Sequence, residues 1–201
     1  MSTTIDPNPT SAEASALRDW VQGNVDKLND CVAHQLKRIE DLSRKNVTPV
    51  ATIAEKTATD VTPDTRFWVN ITIPNPQEED VVAYIGCATC SKRCDYFQGS
   101  KFMCVHCGEE KLAELKNNFT FVATDRTGSI RFTAFGEECA KLLRSTTTEL
   151  LEKKKQETWP EFTALAATLQ SKASLIQVGP AGTIKRSGVL KWYVKAVSLE
   201  Q

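Results

Sequence analysis

Two runs near the middle of the chain alternate apolar and polar side chains with a period of two. Asn118-Phe-Thr-Phe-Val-Ala-Thr124 and Ser129-Ile-Arg-Phe-Thr-Ala-Phe135 flank the turn-forming Asp125-Arg-Thr-Gly128, which predicts a β-hairpin. Its second strand puts Ile130, Phe132 and Ala134 on one face and Arg131, Thr133 and Phe135 on the other. Upstream, Arg66-Phe-Trp-Val-Asn-Ile-Thr-Ile73 is dense in aromatic and β-branched residues and stops at Pro74, which cannot donate to a ladder; it reads as a strand. Between Glu137 and Gln156 the apolar positions fall near helical spacing but are interrupted by Ser145-Thr-Thr-Thr148. Thr146-x-x-Glu149 is a capping box there, so the segment predicts two short helices. A second box, Thr158-x-x-Glu161, opens a third helix through Phe162, Leu165, Ala166 and Leu169. Two further strands follow, Ala173 to Val178 and Val189 to Val197, joined by a turn-rich segment from Gly179 to Gly188.

At the other end, Leu17, Val21, Val25, Leu28, Val32, Leu36, Ile39 and Leu42 recur at three- and four-residue intervals, which predicts an amphipathic helix. Five of them fit heptad positions, with Gln35 as a polar exception. The stripe either packs on its own domain or mediates self-association. The expected organisation is a disordered tail at 1–10, the amphipathic helix at 11–44, a linker at 45–64 and one domain at 65–201.

Seven cysteines are present, and five lie between positions 87 and 107. Cys87-x2-Cys90-x13-Cys104-x2-Cys107 is a pair of CxxC knuckles around a short hairpin, the spacing of a four-thiolate zinc site. One structural Zn²⁺ is expected on Cys87, Cys90, Cys104 and Cys107, in a zinc ribbon spanning residues 83–110. Cys94 and His106 fall inside the cluster but are spectators to two symmetric knuckles. Lys92, Arg93 and Lys101 are expected to offset the excess thiolate charge. Four thiolates leave the metal no open position for substrate, and no nucleophile, base or phosphate loop is legible elsewhere, so an enzyme is not expected.

Twenty-five basic residues balance 25 acidic ones, which excludes a polybasic nucleic-acid binder and makes any such contact local. Thr183 to Gln201, however, carries four basic residues against one acidic. No apolar stretch approaches the roughly 18 residues that cross a bilayer. The first ten residues have neither the basic cluster nor the apolar core of a secretory signal, so a reducing compartment and no membrane contact are expected.

The predicted order is one strand, an inserted ribbon, two strands, helices and two strands. That matches a mainly β architecture with helices: a five-stranded OB-fold Greek-key barrel with the four-cysteine zinc ribbon between strands 1 and 2, plus the N-terminal amphipathic helix. The sequence here resembles the C-terminal DNA-binding domain of the replication protein A large subunit. The resemblance rests on Phe67-Trp-Val-Asn-Ile-Thr-Ile73, Tyr84-Ile-Gly-Cys-Ala-Thr-Cys-Ser-Lys92, Phe102-Met-Cys-Val-His-Cys-Gly108, Thr124 to Phe135, and Ala140 to Leu150. It covers about residues 50 to 199, most of the chain. Members of that family continue into a helix that joins two smaller subunits in a three-helix bundle. This sequence ends at Gln201, so that trimerisation element is expected to be missing.

The resemblance implies a non-enzymatic single-stranded DNA-binding protein of the nucleus, acting in DNA replication, repair or recombination. Its implied partners are single-stranded DNA and, through the N-terminal helix, other replication protein A-like subunits or a second copy. Side-chain chemistry supplies the same kind of candidates, because bases stack on aromatic rings while Arg and Lys track phosphates. The candidates are Arg131 and Thr133 in the hairpin, Lys185 and Arg186 in the last loop, and Lys191, Tyr193 and Lys195 alternating with core-facing Leu190, Trp192 and Val194. Any one of them also fits the solvated outside of a barrel; together they favour binding. Phe97, in the ribbon hairpin, is either an exposed stacking residue or packing beneath the ribbon. The alternative function is a protein assembly module that keeps the zinc-stabilised barrel but binds little DNA, which the neutral overall charge favours.

Overall fold

A computed structural model describes residues 11–155, 159–181 and 190–198. Two compact units result, residues 1–45 and 46–201. The expected tail at 1–10 lies outside the described residues.

The first unit holds two helices where one was expected, α1 (Ala12–Gly23) and α2 (Val25–Arg44). Ser11 caps α1 by accepting the Ala14 N–H on its hydroxyl at 3.2 Å. The break falls at Gly23-Asn24. Asn24 leaves the helical region with φ −126°, and its side-chain amide donates to the Trp20 carbonyl at 2.8 Å, a local bond that competes with the helix ladder. No residue of α1 is buried.

The second unit is built on seven strands: β1 (Phe67–Ile71), β2 (Val81–Cys87), β3 (Lys101–Cys104), β4 (Glu109–Thr124), β5 (Ser129–Phe135), β6 (Ser174–Pro180) and β7 (Trp192–Val197). The ladder runs β1-β6-β7-β5-β4-β2, with β3 on the other part of β4; β5 and β7 are parallel and the remaining pairs antiparallel. Just beyond β1, Thr72 exchanges two backbone hydrogen bonds of 2.9 Å with Thr124 at the end of β4. That bridge brings β1 back to β4, so β1, β6, β7, β5 and β4 follow one another round a ring in OB-fold order.

The predicted hairpin is present with its register, Phe121 opposite Phe132 and Thr124 opposite Ser129. Its first strand, however, begins far earlier than Asn118. The 16-residue β4 runs out of the ribbon into the barrel, and β2 pairs with it along the way, so ribbon and barrel share a continuous strand. The charged run Glu109-Glu-Lys-Leu-Ala-Glu-Leu-Lys116 hides this, since its strand character comes from pairing on both sides.

Inside the ring, Val69, Ile71, Phe119, Phe121, Phe132, Ala134, Ile176, Val178, Trp192 and Val194 are buried together. The helices α4 (Gly136–Leu143), α5 (Thr147–Lys155) and α6 (Phe162–Ser171) add Leu142, Leu143, Leu150, Phe162 and Leu169. The Thr146/Glu149 box forms reciprocally: the Thr146 N–H donates to the Glu149 carboxylate at 2.7 Å and the Glu149 N–H to the Thr146 hydroxyl at 3.2 Å. Thr158 lies outside the described residues, and α6 starts after Glu161, whose side chain makes no cap bond.

Of residues 45–64, expected to be a linker, 46–64 instead belong to the barrel unit. They fold into a short helix, α3 (Val50–Ala54), whose Val50 and Ile53 are completely buried, and Val61 joins the same core.

Candidate metal centre and strand face

The ribbon has its own small core of Cys87, Phe102, Cys104 and Ala113, separate from that of the barrel. Two similar turns carry the thiols. In each, the residue after the second cysteine has positive φ, Ser91 at 56° and Gly108 at 71°. The N–H of Ser91 donates to Cys87 O, and that of Gly108 to Cys104 O. Gly86 is needed for close approach: a Cβ there would stand 3.0 Å from the Lys92 carbonyl and 3.0 Å from the Tyr84 ring.

The sulfurs of Cys87, Cys90, Cys104 and Cys107 all lie within 4.8 Å of one another, and could hold a metal ion. Cys87 and Cys107 are 3.9 Å apart and Cys90 and Cys104 3.7 Å. A tetrahedron with metal–sulfur bonds of about 2.3 Å has sulfur–sulfur edges of about 3.8 Å, so the spacing fits a thiolate-bound metal. The Cys90 N–H, against the opposing effect of burial, and the Thr89 N–H bring the Cys87 thiol down to about 6. Burial and the neighbouring sulfurs push Cys107 up to about 12. Four sulfurs this close resist joint ionisation unless a cation sits among them.

Neither Cys94 nor His106 belongs to the ligand group, as the knuckle symmetry implies. A further lysine, not among those expected, stands near the thiols. Arg93 sits over the Tyr84 ring at 5.3 Å and Lys101 pairs with Glu110 at 3.7 Å, whereas Lys111, held first by Glu109, also feels the charges of Cys107 and Cys87.

The second cluster lies on the outer face of the ring. Arg131 is exposed, opposite half-exposed Val122 on β4. Thr133 is hydrogen-bonded to Thr120 at 3.1 Å and is the register neighbour of Tyr193 on β7. The Tyr193 ring meets Phe135 edge-on at 4.9 Å and carries the Lys195 ammonium 5.6 Å from its centre. Strand alternation therefore brings Arg131, Thr133, Tyr193 and Lys195 to one surface while Phe132, Trp192 and Val194 face inward. Lys191 is exposed just before β7, its carbonyl accepting the Ala181 N–H. Lys185 and Arg186 lie outside the described residues. Phe97 is 89% exposed, which resolves its two readings in favour of an exposed ring; Tyr96 beside it stacks on Phe102. Missing from the candidate set are Phe135 and Val122, although alternation had already put Phe135 on the face of Arg131.

Among known families, the one described as the replication factor-A C terminal domain matches residues 67–179, more than half of the chain. The chain belongs to this family. The replication factor-A match runs from the first residue of β1 to Gly179 in β6, and contains the four clustered cysteines and the β4–β5 hairpin. Strand β7, with Tyr193 and Lys195, lies beyond it. Solved structures of replication protein A share the fold. One chain, from a replication protein A heterotrimer bound to ssDNA, is 16% identical with a TM-score of 0.50; the match covers 96% of this chain and 45% of that one. Another, from yeast RPA bound to ssDNA, is 17% identical with a TM-score of 0.55, covering 77% of this chain and 88% of that one. The chain thus spans less than half the length of the first of these relatives. No curated protein matches the sequence. Among the described residues, no helix is long and apolar enough to cross a membrane.

Proposed function

We propose that this member of the replication factor-A family binds single-stranded DNA without sequence readout, on the outer face of β4, β5 and β7, and has no enzymatic role. The observation that carries the reading is the shared surface of Arg131, Thr133, Tyr193 and Lys195, with Phe135 against Tyr193. Bases stack on the aromatic pair and the cations track phosphates. The replication protein A structures that share the fold are described as bound to ssDNA, which supports the same reading. Lys191 extends the basic end of the surface, and exposed Phe97 offers a further ring. The proposed setting is the nucleus, in replication, repair or recombination. The proposed protein partners are other replication protein A-like subunits, or a second copy joined through α1 and α2.

Cys87, Cys90, Cys104 and Cys107 would hold one structural Zn²⁺. The ion supplies fold stability, with binding energy and ribbon folding coupled. Fluorescence anisotropy of a labelled single-stranded 20- to 30-mer tests the DNA reading, comparing the wild type with Arg131→Ala/Lys191→Ala/Tyr193→Ala at low and moderate salt. Binding that falls with salt and is weakened in the triple variant is expected. Absent binding at low salt, or an unchanged triple variant, overturns the reading.

One observation favours the second reading, an assembly module. Phe97, Met103 and Val105 are each exposed on the ribbon, Val105 at 98%, and exposed apolar side chains of this kind are what protein partners cover.

A further inference from the structure

At one end of the strand face two cations stand near Tyr193, Arg66 through its contact with Gly179 and Lys195 beside the ring. Arg66, just before β1, donates from Nη1 to the carbonyls of Pro63 at 2.7 Å and Thr65 at 2.8 Å. Those bonds use Nη1 and leave the donors on Nε and Nη2 of its five-donor fork. The guanidinium lies against Gly179 of β6, where a Cβ would come within 2.8 Å of Nη1. Gly179 is the register partner of Tyr193, which puts the guanidinium beside the aromatic pair. Lys195 comes next on that face, and burial, followed by the charge of Arg66, holds its ammonium below the usual lysine range. Among the described residues, neither cation forms an ion pair. The two like charges, Lys195 half-buried and Arg66 exposed, repel each other, and an anion between them offsets that repulsion.

The geometry points to a phosphate clamp, in which the Arg66 fork and the Lys195 ammonium grip one phosphodiester of a single strand whose neighbouring base stacks on Tyr193. This rests on the proposed DNA reading and adds Arg66 and Gly179 to it. An arginine fork matches phosphate geometry in a way a lysine does not.

The test is anisotropy of a labelled thymidine 25-mer over a salt series, with Arg66→Ala, Arg66→Lys, Gly179→Ala and, as reference, Arg131→Ala. Arg66→Ala is expected to weaken binding about three- to tenfold and to reduce the slope of log affinity against log salt by about 0.7, the share of one phosphate on a single strand. Arg66→Lys keeps the slope but not the full affinity, and Gly179→Ala, which displaces the fork, weakens binding in the same direction. Arg66→Ala with wild-type affinity, or with weaker binding but an unchanged slope, overturns the clamp. If Arg131→Ala is still impaired in that case, the wider DNA reading stands; a wild type that does not bind overturns both.

Discussion

The Asp125 carboxylate accepts the backbone N–H of Val50, 75 residues upstream, at 2.9 Å. Val50 opens α3, whose N-cap residue Pro49 offers no side-chain acceptor. Asp125 therefore serves as a cap supplied from the turn of the β4–β5 hairpin, and the Thr127 hydroxyl accepts the next donor, Ala51 N–H, at 3.1 Å. The same carboxylate takes hydrogen bonds from Thr127 and Gly128 and so also fixes its own turn.

Replacing Asp125 with Ala should cost about 1–2 kcal/mol, the usual loss for a helix cap, as measured by chemical denaturation. Burial raises the Asp125 carboxyl, but the bonds from Thr127, Val50 and Gly128 outweigh it and leave it below its ordinary 3.8. A depressed carboxylate stabilises the fold fully above the unfolded value and loses that contribution as pH falls through the folded value. The gap in melting temperature between wild type and Asp125→Asn should hold at neutral pH and close as pH falls below 3.8. A gap that widens in acid would show that the carboxylate is not the cap.

The ribbon and the barrel have separate hydrophobic cores joined through β2 and β4. Metal removal by a chelator, or Cys90→Ser, should therefore unfold the ribbon while leaving the barrel folded. Amide spectra would show it as loss of dispersion for residues 87–113 with Phe121 and Phe132 preserved. Elemental analysis should give one zinc per chain, and affinity should fall with pH as the thiolates protonate. Gly86→Ala should weaken metal retention, since its Cβ would press on the Lys92 carbonyl that accepts the Cys87 N–H at 2.8 Å.

Much of this architecture is legible in the sequence because it rests on local patterns. Alternation gives the faces of β5 and β7, the Thr146/Glu149 box gives the start of α5, and cysteine spacing gives the ligand group. What escapes depends on distant partners. The five-residue α3 has too short an apolar run to register, and its cap comes from Asp125. The charged first half of β4 is a strand because β2 and β3 pair with it. The break at Asn24 competes with a strong apolar stripe, and its side-chain bond to the Trp20 carbonyl leaves no trace in the apolar pattern. At the strand face, alternation found Arg131, Tyr193 and Lys195, but the contact of Phe135 with Tyr193 needed the parallel β5–β7 pairing.

That ring contact carries its own expected outcome. Tyr193→Ala and Phe135→Ala should each weaken oligonucleotide binding by about 1–3 kcal/mol, the usual contribution of one stacked base, with similar losses for thymidine and mixed sequences. Trp192→Ala, by contrast, removes a 4% exposed core side chain and should show first as lost stability, about 3–5 kcal/mol by denaturation. Equal binding losses with intact folding for all three would mean that the inward and outward faces of β7 are misassigned.

The most direct test is a two-dimensional amide NMR titration with a short thymidine oligomer. The account places the largest shift changes at Val122, Arg131, Thr133, Phe135, Tyr193 and Lys195, with α1 and α2 unaffected. Shifts confined to the ribbon around Phe97 and Val105, or no shifts at low salt, would contradict a DNA-binding strand face.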